Sequence, residues 1–158
     1  ISLFEQTNVL SEREVMARYI VDLKEYIMRV QIESRTLGDI VRNHIIPTGI
    51  KYQNVLIENV KGLKEVYGND FQKHAEVQLK IIERISGHVD EINKGIEQMV
   101  ENRKLIDKIE DDLKKAHAYC EKILPFLGDI RYHCDKLELV VDDDLWPLAK
   151  YRELLFCR

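Results

Sequence analysis

The strongest constraint on this chain is a repeat of apolar residues spaced alternately four and three positions apart. It begins with nine positions, seven of them apolar: Met16, Ile20, Leu23, Ile27, Val30, Ser34, Leu37, Val41 and His44. An average spacing of 3.5 residues keeps all of them on one side of an α-helix, so the repeat predicts a long helix packed on other helices. We expect a packed, hydrogen-bonded histidine at His44. Ser11 and Glu14 have the spacing of a capping box, which predicts that this helix starts there.

The repeat returns twice later in the chain, in two phases that do not match. The first run is Phe71, Ala75, Gln78, Ile82, Ile85, Val89, Ile92, Ile96 and Met99; the second is Ile106, Ile109, Leu113, Ala116, Cys120, Ile123, Leu127, Ile130, Cys134, Leu137 and Val141. The change of phase requires the chain to overwind or to turn near residues 102–105. Residues 101–104 contain neither Gly nor Pro, which favours a continuous helix.

Proline and glycine divide these helices further. Pro47 lacks an amide hydrogen and disfavours helix in the residue before it, so the first helix should end or kink near residues 45–46. A second helix should follow over residues 48–67 and end at Gly68, because glycine adopts the left-handed conformation at low cost. Pro125 should kink the last long run.

These patterns predict an all-α fold, an antiparallel bundle of three or four long, partly kinked helices with a short C-terminal helix. Residues 1–10 have no clear period and are interpreted as a connector. Residues 11–141 would form the bundle, and residues 142–158 an acidic turn, a Trp-Pro pair and the terminal helix. The 158 residues include only 7 Gly and 3 Pro, which favours long helices over many short elements.

The composition argues against nucleic-acid and membrane partners. The net charge is −4, and acidic and basic residues alternate, so no basic stripe forms. No stretch approaches the ~20 apolar residues of a membrane span. Cys120, Cys134 and Cys157 contain no CxxC motif and are interpreted as reduced thiols of a cytosolic protein. The chain begins at Ile1 rather than Met, which suggests a segment of a longer protein.

No group of residues has the spacing of a catalytic or metal-binding motif. The histidines are His44, His74, His88, His117 and His133, and none forms HxxxH or a zinc-finger pattern. Cys120 and Cys134 lie on the repeat, where cysteine behaves as a small buried apolar residue. The acidic run 142–144 is interpreted as a solvated turn, with a divalent-metal patch as the alternative. We therefore predict no catalytic residue, no metal ligand and no cofactor in this segment.

An aromatic and aliphatic cluster after the acidic run is the candidate docking surface. Its members are Trp146, Pro147, Tyr151, Arg152, Leu155 and Phe156. Aromatic and arginine side chains are frequent in interface centres, so the cluster packs either on this chain's own bundle or on a neighbouring domain or subunit. Pro147 fits the first position of a short helix over residues 151–156. Arg152 is alternatively placed to meet an anionic ligand in a neighbouring active site.

Several segments resemble the C-terminal region of type III glutamine synthetases. They are residues 10–19, which contain Ser-Glu-Arg-Glu, residues 31–35 (Gln-Ile-Glu-Ser-Arg), residues 43–47 (Asn-His-Ile-Ile-Pro), residues 51–59, and residues 135–156, which contain Val-Asp-Asp-Asp-Leu-Trp-Pro-Leu. The last is the most specific, and the resemblance covers essentially the whole chain. Ala149 stands where the family usually has a second proline, and Gly49 where alanine is usual; both departures affect local stiffness.

The resemblance implies a C-terminal accessory and assembly domain of an enzyme that makes glutamine from glutamate, ammonia and ATP with divalent metal. It implies that ATP and metal bind in an upstream catalytic domain, to which residues 1–10 connect. The expected partners are that domain and neighbouring subunits of a homo-oligomer, a dodecamer in the family, in the cytoplasm. The repeats alone fit a second hypothesis equally well, a stand-alone helical adaptor that binds partner helices.

Overall fold

A computed structural model describes residues 9–155 of the chain, except for the side chains of Tyr151 and Arg152. The helices, in chain order, are α1 (Glu12–Ile40), a π-helical turn (Val41–Ile45), α2 (Ile46–Tyr67), a 3-10 turn (Gly68–Asp70), α3 (Phe71–His74), α4 (Glu76–Ile106), α5 (Asp112–Lys122), α6 (Leu124–Glu138) and α7 (Tyr151–Leu155). Residues 9–155 contain no strand. The predicted all-α bundle is therefore confirmed.

The start of α1 is the predicted capping box. The backbone N–H of Ser11 donates to Glu14 Oε2 at 2.8 Å, and the N–H of Glu14 donates to Ser11 Oγ at 3.4 Å. These reciprocal bonds satisfy two amides that have no partner within the helix. The hydrogen bonds from Ser11 also hold the pKa of the Glu14 carboxyl below its ordinary value, because they favour the charged form.

Pro47 is accommodated by a π-helical turn rather than by the end of a helix. The N–H of Ile46 donates to the carbonyl oxygen of Val41, five residues back, and α2 continues with Pro47 in its first turn. A π-turn inserts one extra residue, which shifts the buried face by one position. Ile45 is consequently buried and His44 is exposed, so the prediction of a packed His44 is wrong.

The chain turns between α4 and α5, and the favoured continuous helix is wrong. The helix persists through residues 102–105 and ends at Ile106, and residues 107–111 form the turn. Asp111 caps α5, its side chain accepting from the N–H of Lys114 at 2.8 Å. A short aspartate cap therefore starts a new helix without any Gly or Pro.

The remaining helix boundaries follow the sequence closely. α2 ends at Gly68, which has a φ of 55°, and the Gly68 N–H donates to Lys64 O, as the prediction of a glycine stop requires. The run that contains Pro125 is interrupted at Ile123, between α5 and α6. Proline has no N–H to donate to the preceding turn, so the predicted kink is confirmed.

The chain divides into two compact units, whose boundaries fall within helices. Unit 1 is residues 1–36 with 97–127, and unit 2 is residues 37–96 with 128–158. In unit 1, α1 and α5 lie parallel, because Lys24 meets Asp112 at 3.8 Å and Gln31 meets Tyr119 at 2.9 Å. The buried side chains of unit 1 include Ile27, Val30, Met99, Ile106, Tyr119 and Ile123.

In unit 2, α4 runs antiparallel to both α2 and α6. The Gln53 amide donates to Ile82 O at 3.1 Å and to Ser86 Oγ at 2.6 Å, while Gln78 donates to Asn59 Oδ1 at 3.1 Å. The buried side chains of this unit include Val41, Ile45, Leu56, Ile85, Ile92, Ile96, Ile130, Cys134 and Leu137. The predicted repeat therefore supplies most of this core, to which Ile45 and Leu56 are added.

Candidate docking surfaces and polar clusters

The acidic run after α6 is a hydrogen-bonded turn. Asp142 accepts the N–H of Asp144 through Oδ1 at 2.9 Å, and its carbonyl accepts the N–H groups of Leu145 and Trp146, both at 3.1 Å. An aspartate that binds the backbone two residues ahead is a common turn former. Residues 9–155 hold no group of three or more side chains suited to bind a metal ion.

The predicted docking cluster is split between the interior and the surface. The Trp146 side chain is only 9% exposed and therefore packs within this chain, whereas Pro147 is exposed. Leu155 is 61% exposed, and Leu154 beside it is similarly open. Phe156 and the side chains of Tyr151 and Arg152 lie outside the described residues. Among the described side chains of this segment, the exposed large apolar ones are Leu148, Leu154 and Leu155.

Lys150 ties this C-terminal segment to the end of α6, a role that the sequence analysis missed. Its Nζ donates to Glu138 O at 3.3 Å and forms a close ion pair with Asp143. Its backbone N–H donates to Glu153 Oε2 at 3.1 Å, which caps α7. The terminal helix accordingly begins at Tyr151, so the prediction of Pro147 at its first position is wrong. The available signal for this cap was Glu153, since a glutamate at the third helical position reaches back to the backbone N–H of the residue before the helix.

A polar triad in unit 1 fastens the α4–α5 turn to α1. The Gln31 amide donates to Asp107 Oδ1 and to Tyr119 Oη, both at 2.9 Å, and the Tyr119 hydroxyl donates to Asp107 Oδ1 at 2.5 Å. Burial, together with the hydrogen bond to Asp107, raises the pKa of Tyr119 to about 12. The triad fixes where α4 ends along α1, and no periodicity in the sequence pointed to it.

An open apolar groove separates α1 from α5 in unit 1. Its volume is about 350 Å³, and it is lined by Leu23, Tyr26, Leu113, Ala116, His117 and Cys120. Burial, followed by a hydrogen bond with Cys120, raises the pKa of Tyr26. Cys120 is exposed, which corrects the prediction that it is buried, because α1 leaves this groove unfilled.

The other described cysteine is buried as predicted. Cys134 lies in the core of unit 2, and burial raises the pKa of its thiol to about 12. A thiol with this pKa is protonated at neutral pH and is therefore a poor nucleophile.

His88 and His133 form a pair between α4 and α6 in unit 2. Their Nδ1 atoms are 3.0 Å apart, so one ring donates and the other accepts. Burial, reinforced by His133 and by the cations Arg84 and Lys136, lowers the pKa of His88. Such a pair requires at least one neutral ring, because two imidazolium rings have no acceptor between them.

The N-terminal half of α1 carries an apolar surface that the described chain leaves open. Residues 12–26 include no buried side chain, whereas Ile27 and Val30 on the same repeat are buried. Met16 and Ile20 are 44% and 41% exposed, and Tyr19 between them is also exposed. Clustered apolar side chains on a surface mark sites of contact with other polypeptide.

Comparisons with known proteins give one family match and several full-length relatives. Residues 1–64 match the family described as "Glutamine synthetase C-terminal domain". A glutamine synthetase of Bacteroides fragilis (strain YCH46) is 42% identical over 151 residues, which cover 95% of this chain and 21% of that protein. The type-3 glutamine synthetase of Dictyostelium discoideum is 28% identical, over 100% of this chain and 22% of that protein. A glutamine synthetase of Butyrivibrio fibrisolvens is 21% identical, over 99% of this chain and 22% of that protein.

The chain is thus an all-α bundle whose sequence matches are to glutamine synthetases and to a C-terminal domain described for them. Residues 1–64 match the glutamine synthetase C-terminal domain family, and the relatives that span nearly all of the chain include a type-3 enzyme. This confirms the resemblance seen in the sequence. The chain spans about a fifth of the length of the curated relatives it matches. None of the helices within residues 9–155 combines the length and apolar character that crossing a membrane requires.

Proposed function

We propose that this chain is the C-terminal accessory and assembly domain of a glutamine synthetase. The observation that carries the proposal is the match to a glutamine synthetase at 42% identity over 95% of this chain but only 21% of the relative. A segment that corresponds to a fifth of an enzyme and forms a helical bundle is suited to packing and assembly. Its parent would ligate ammonia to glutamate with hydrolysis of ATP.

We assign no step of that reaction to residues 1–158. Glutamate, ATP and the divalent metal would bind in the catalytic region of the parent, and this segment would act through contacts alone. The partners would be that catalytic region and neighbouring subunits of a cytoplasmic homo-oligomer. The open apolar surfaces on α1 and α7 support this role, because exposed leucine, isoleucine and methionine side chains favour contact with another protein surface.

The experiment is deletion of this segment from the full-length parent. We expect the truncated enzyme to lose its native oligomer, measured by light scattering after gel filtration, or to become insoluble. A matched control replaces Val66, which is 75% exposed on α2, with Asp and should assemble normally. Unchanged oligomer size and unchanged synthetase activity after the deletion would contradict the proposal.

The alternative is a self-contained helical adaptor that binds partner helices. The open groove between α1 and α5 favours it, because a groove lined by leucine, alanine and tyrosine suits an amphipathic helix. This alternative requires a native protein of about this chain's own size. Capture from cell extract of nothing but a parent glutamine synthetase would count against it.

A further inference from the structure

The triad in unit 1 marks the level at which α4 stops along α1. α4 ends at Ile106, and the next residue, Asp107, is bound by Gln31. α1 begins at Glu12, so nineteen residues of α1, from 12 to 30, lie N-terminal to this level. At 1.5 Å per residue this is about 28 Å of helix. Over that length, α4 no longer accompanies α1.

α5 covers only part of this extension. Its first residue, Asp112, pairs with Lys24, and the helix then runs parallel to α1 toward Gln31. Residues 12–22 of α1 therefore lie beyond the start of α5 as well, and none of their side chains is buried. We call residues 12–22 the α1 overhang. The groove between α1 and α5 lies directly next to it, beyond the end of α4.

The apolar repeat continues unchanged into the overhang. Ile27 and Val30 are 7% and 2% exposed where α1 runs beside α5 and approaches the end of α4, whereas Met16 and Ile20 are more than 40% exposed in the overhang. The same stripe thus serves as a packing face on one part of the helix and stands open on the other. Leu23 joins the two regions, because it belongs to the stripe and also lines the groove.

We propose that the overhang and the groove receive an apolar, helical segment from the polypeptide that precedes residue 1 in the full-length glutamine synthetase. This inference rests on the proposed function. The incoming segment would occupy the position that α4 vacates, cover Met16 and Ile20, and reach the groove at Leu23. A helix laid into an apolar groove is a common mode of recognition.

Chain length and connectivity identify the occupant. The relatives extend far beyond the matched region, which is about a fifth of their length, and the matching family is named as the C-terminal domain. In such a parent the preceding polypeptide joins the overhang through residues 1–11. A short tether of this kind gives an effective concentration of order millimolar, so even a modest apolar contact would be occupied.

Methionine oxidation in the full-length enzyme tests whether the overhang is covered. This chain has three methionines: Met99 is 1% exposed and calibrates full burial, and denatured enzyme calibrates full exposure. We expect Met16 to oxidise as slowly as Met99 and several-fold more slowly than in denatured enzyme. Substitution Ile20→Asp should restore fast oxidation of Met16, whereas the control Val66→Asp should not. Fast oxidation of Met16 in the unmodified enzyme would overturn the inference.

A photo-crosslinking amino acid at position 20 identifies what covers the overhang. We expect its crosslinked peptides to come from sequence upstream of residue 1, and a crosslinker at position 66 to give no such peptides. Crosslinks confined to residues 1–158, or none at all, would overturn the choice of occupant. If deletion of residues 1–158 disrupts assembly while Met16 stays open to oxidation, the proposed function stands and this inference alone fails.

Discussion

Two glycines on α4 should respond oppositely to the same substitution. Replacing glycine with alanine inside a helix usually raises the free energy of unfolding by about 0.5–1 kcal/mol, because alanine loses less backbone entropy. At Gly87 an added Cβ would meet no atom within 4 Å. At Gly95 the Cβ would lie 3.0 Å from Ile130 Cγ1 and 3.6 Å from its Cδ1. Gly87 therefore only lowers the stability of the helix, whereas the missing side chain at Gly95 allows α6 to approach α4 closely.

The size of the difference follows from the contact with Ile130. Carbon atoms pack best at about 3.5–4.0 Å, so a Cβ at 3.0 Å requires one side chain to move. Ile130 is fully buried, and overpacking of a buried site costs about 1–3 kcal/mol. We therefore expect Gly87→Ala to stabilise the chain by about 0.5–1 kcal/mol and Gly95→Ala to destabilise it by about 0–2.5 kcal/mol.

Urea unfolding followed by circular dichroism measures both values, with the slope m checked for constancy. A double-mutant cycle supplies the control: in an Ile130→Ala background, Gly95→Ala should regain most of the lost stability. Equal stabilisation by Gly87→Ala and Gly95→Ala would refute the reasoning. It would mean that α4 and α6 do not approach as closely at Gly95 as the structure has it.

Three further results are expected. Tyr119→Phe should lower the free energy of unfolding by about 1–2 kcal/mol in urea titration, because it removes the hydroxyl shared by the triad. Iodoacetamide should label Cys120 in the native chain and leave Cys134 unlabelled until denaturation, as judged by peptide mass spectrometry. Acidification from about pH 7 to about pH 5 should destabilise the chain, and His88→Gln, which replaces one ring of the pair with His133, should reduce that loss.

The sign of the pH effect follows from proton binding. The pKa of His88 lies below its ordinary value of 6.5 in the folded state, so the unfolded chain binds more protons between the folded pKa and 6.5. The contribution of neutral His88 to the stability of the folded chain is present above about pH 6.5, and it is lost as the pH falls through the pKa of His88 in the folded state. His74→Gln, at a ring that stacks on Tyr67, is a suitable control. An unchanged pH profile in His88→Gln would contradict the role of the pair.

Local signals in the sequence predicted helix ends better than they predicted which side chains are buried. The capping box at Ser11, the stop at Gly68 and the interruption before Pro125 each depend on a few neighbouring residues, and all three are present. The exposure of His44 depends instead on a π-turn, which inserts one residue and moves Ile45 into the core. A periodic pattern that is extended across Pro47 assumes a constant spacing, so it does not include the inserted residue.

The polar contacts between helices could not be predicted from the sequence. Asp107 follows Gln31 by 76 residues and precedes Tyr119 by 12 residues. Only the fold brings these three side chains together. The phase change near residues 102–105 did indicate a break, and Asp111 is the residue whose capping side chain allows a new helix to start after it. The docking cluster was recognisable by composition, while the division between buried Trp146 and the exposed leucines depends on tertiary packing.

The most direct test of the accessory-domain proposal is the mass of the native polypeptide that contains this sequence, measured under denaturing conditions. A C-terminal domain of a larger enzyme should be found in a polypeptide several times the 18.6 kDa of residues 1–158, since the relatives are about five times as long as the matched region. A native polypeptide of about 18.6 kDa would contradict the proposal and would leave the stand-alone adaptor as the working hypothesis.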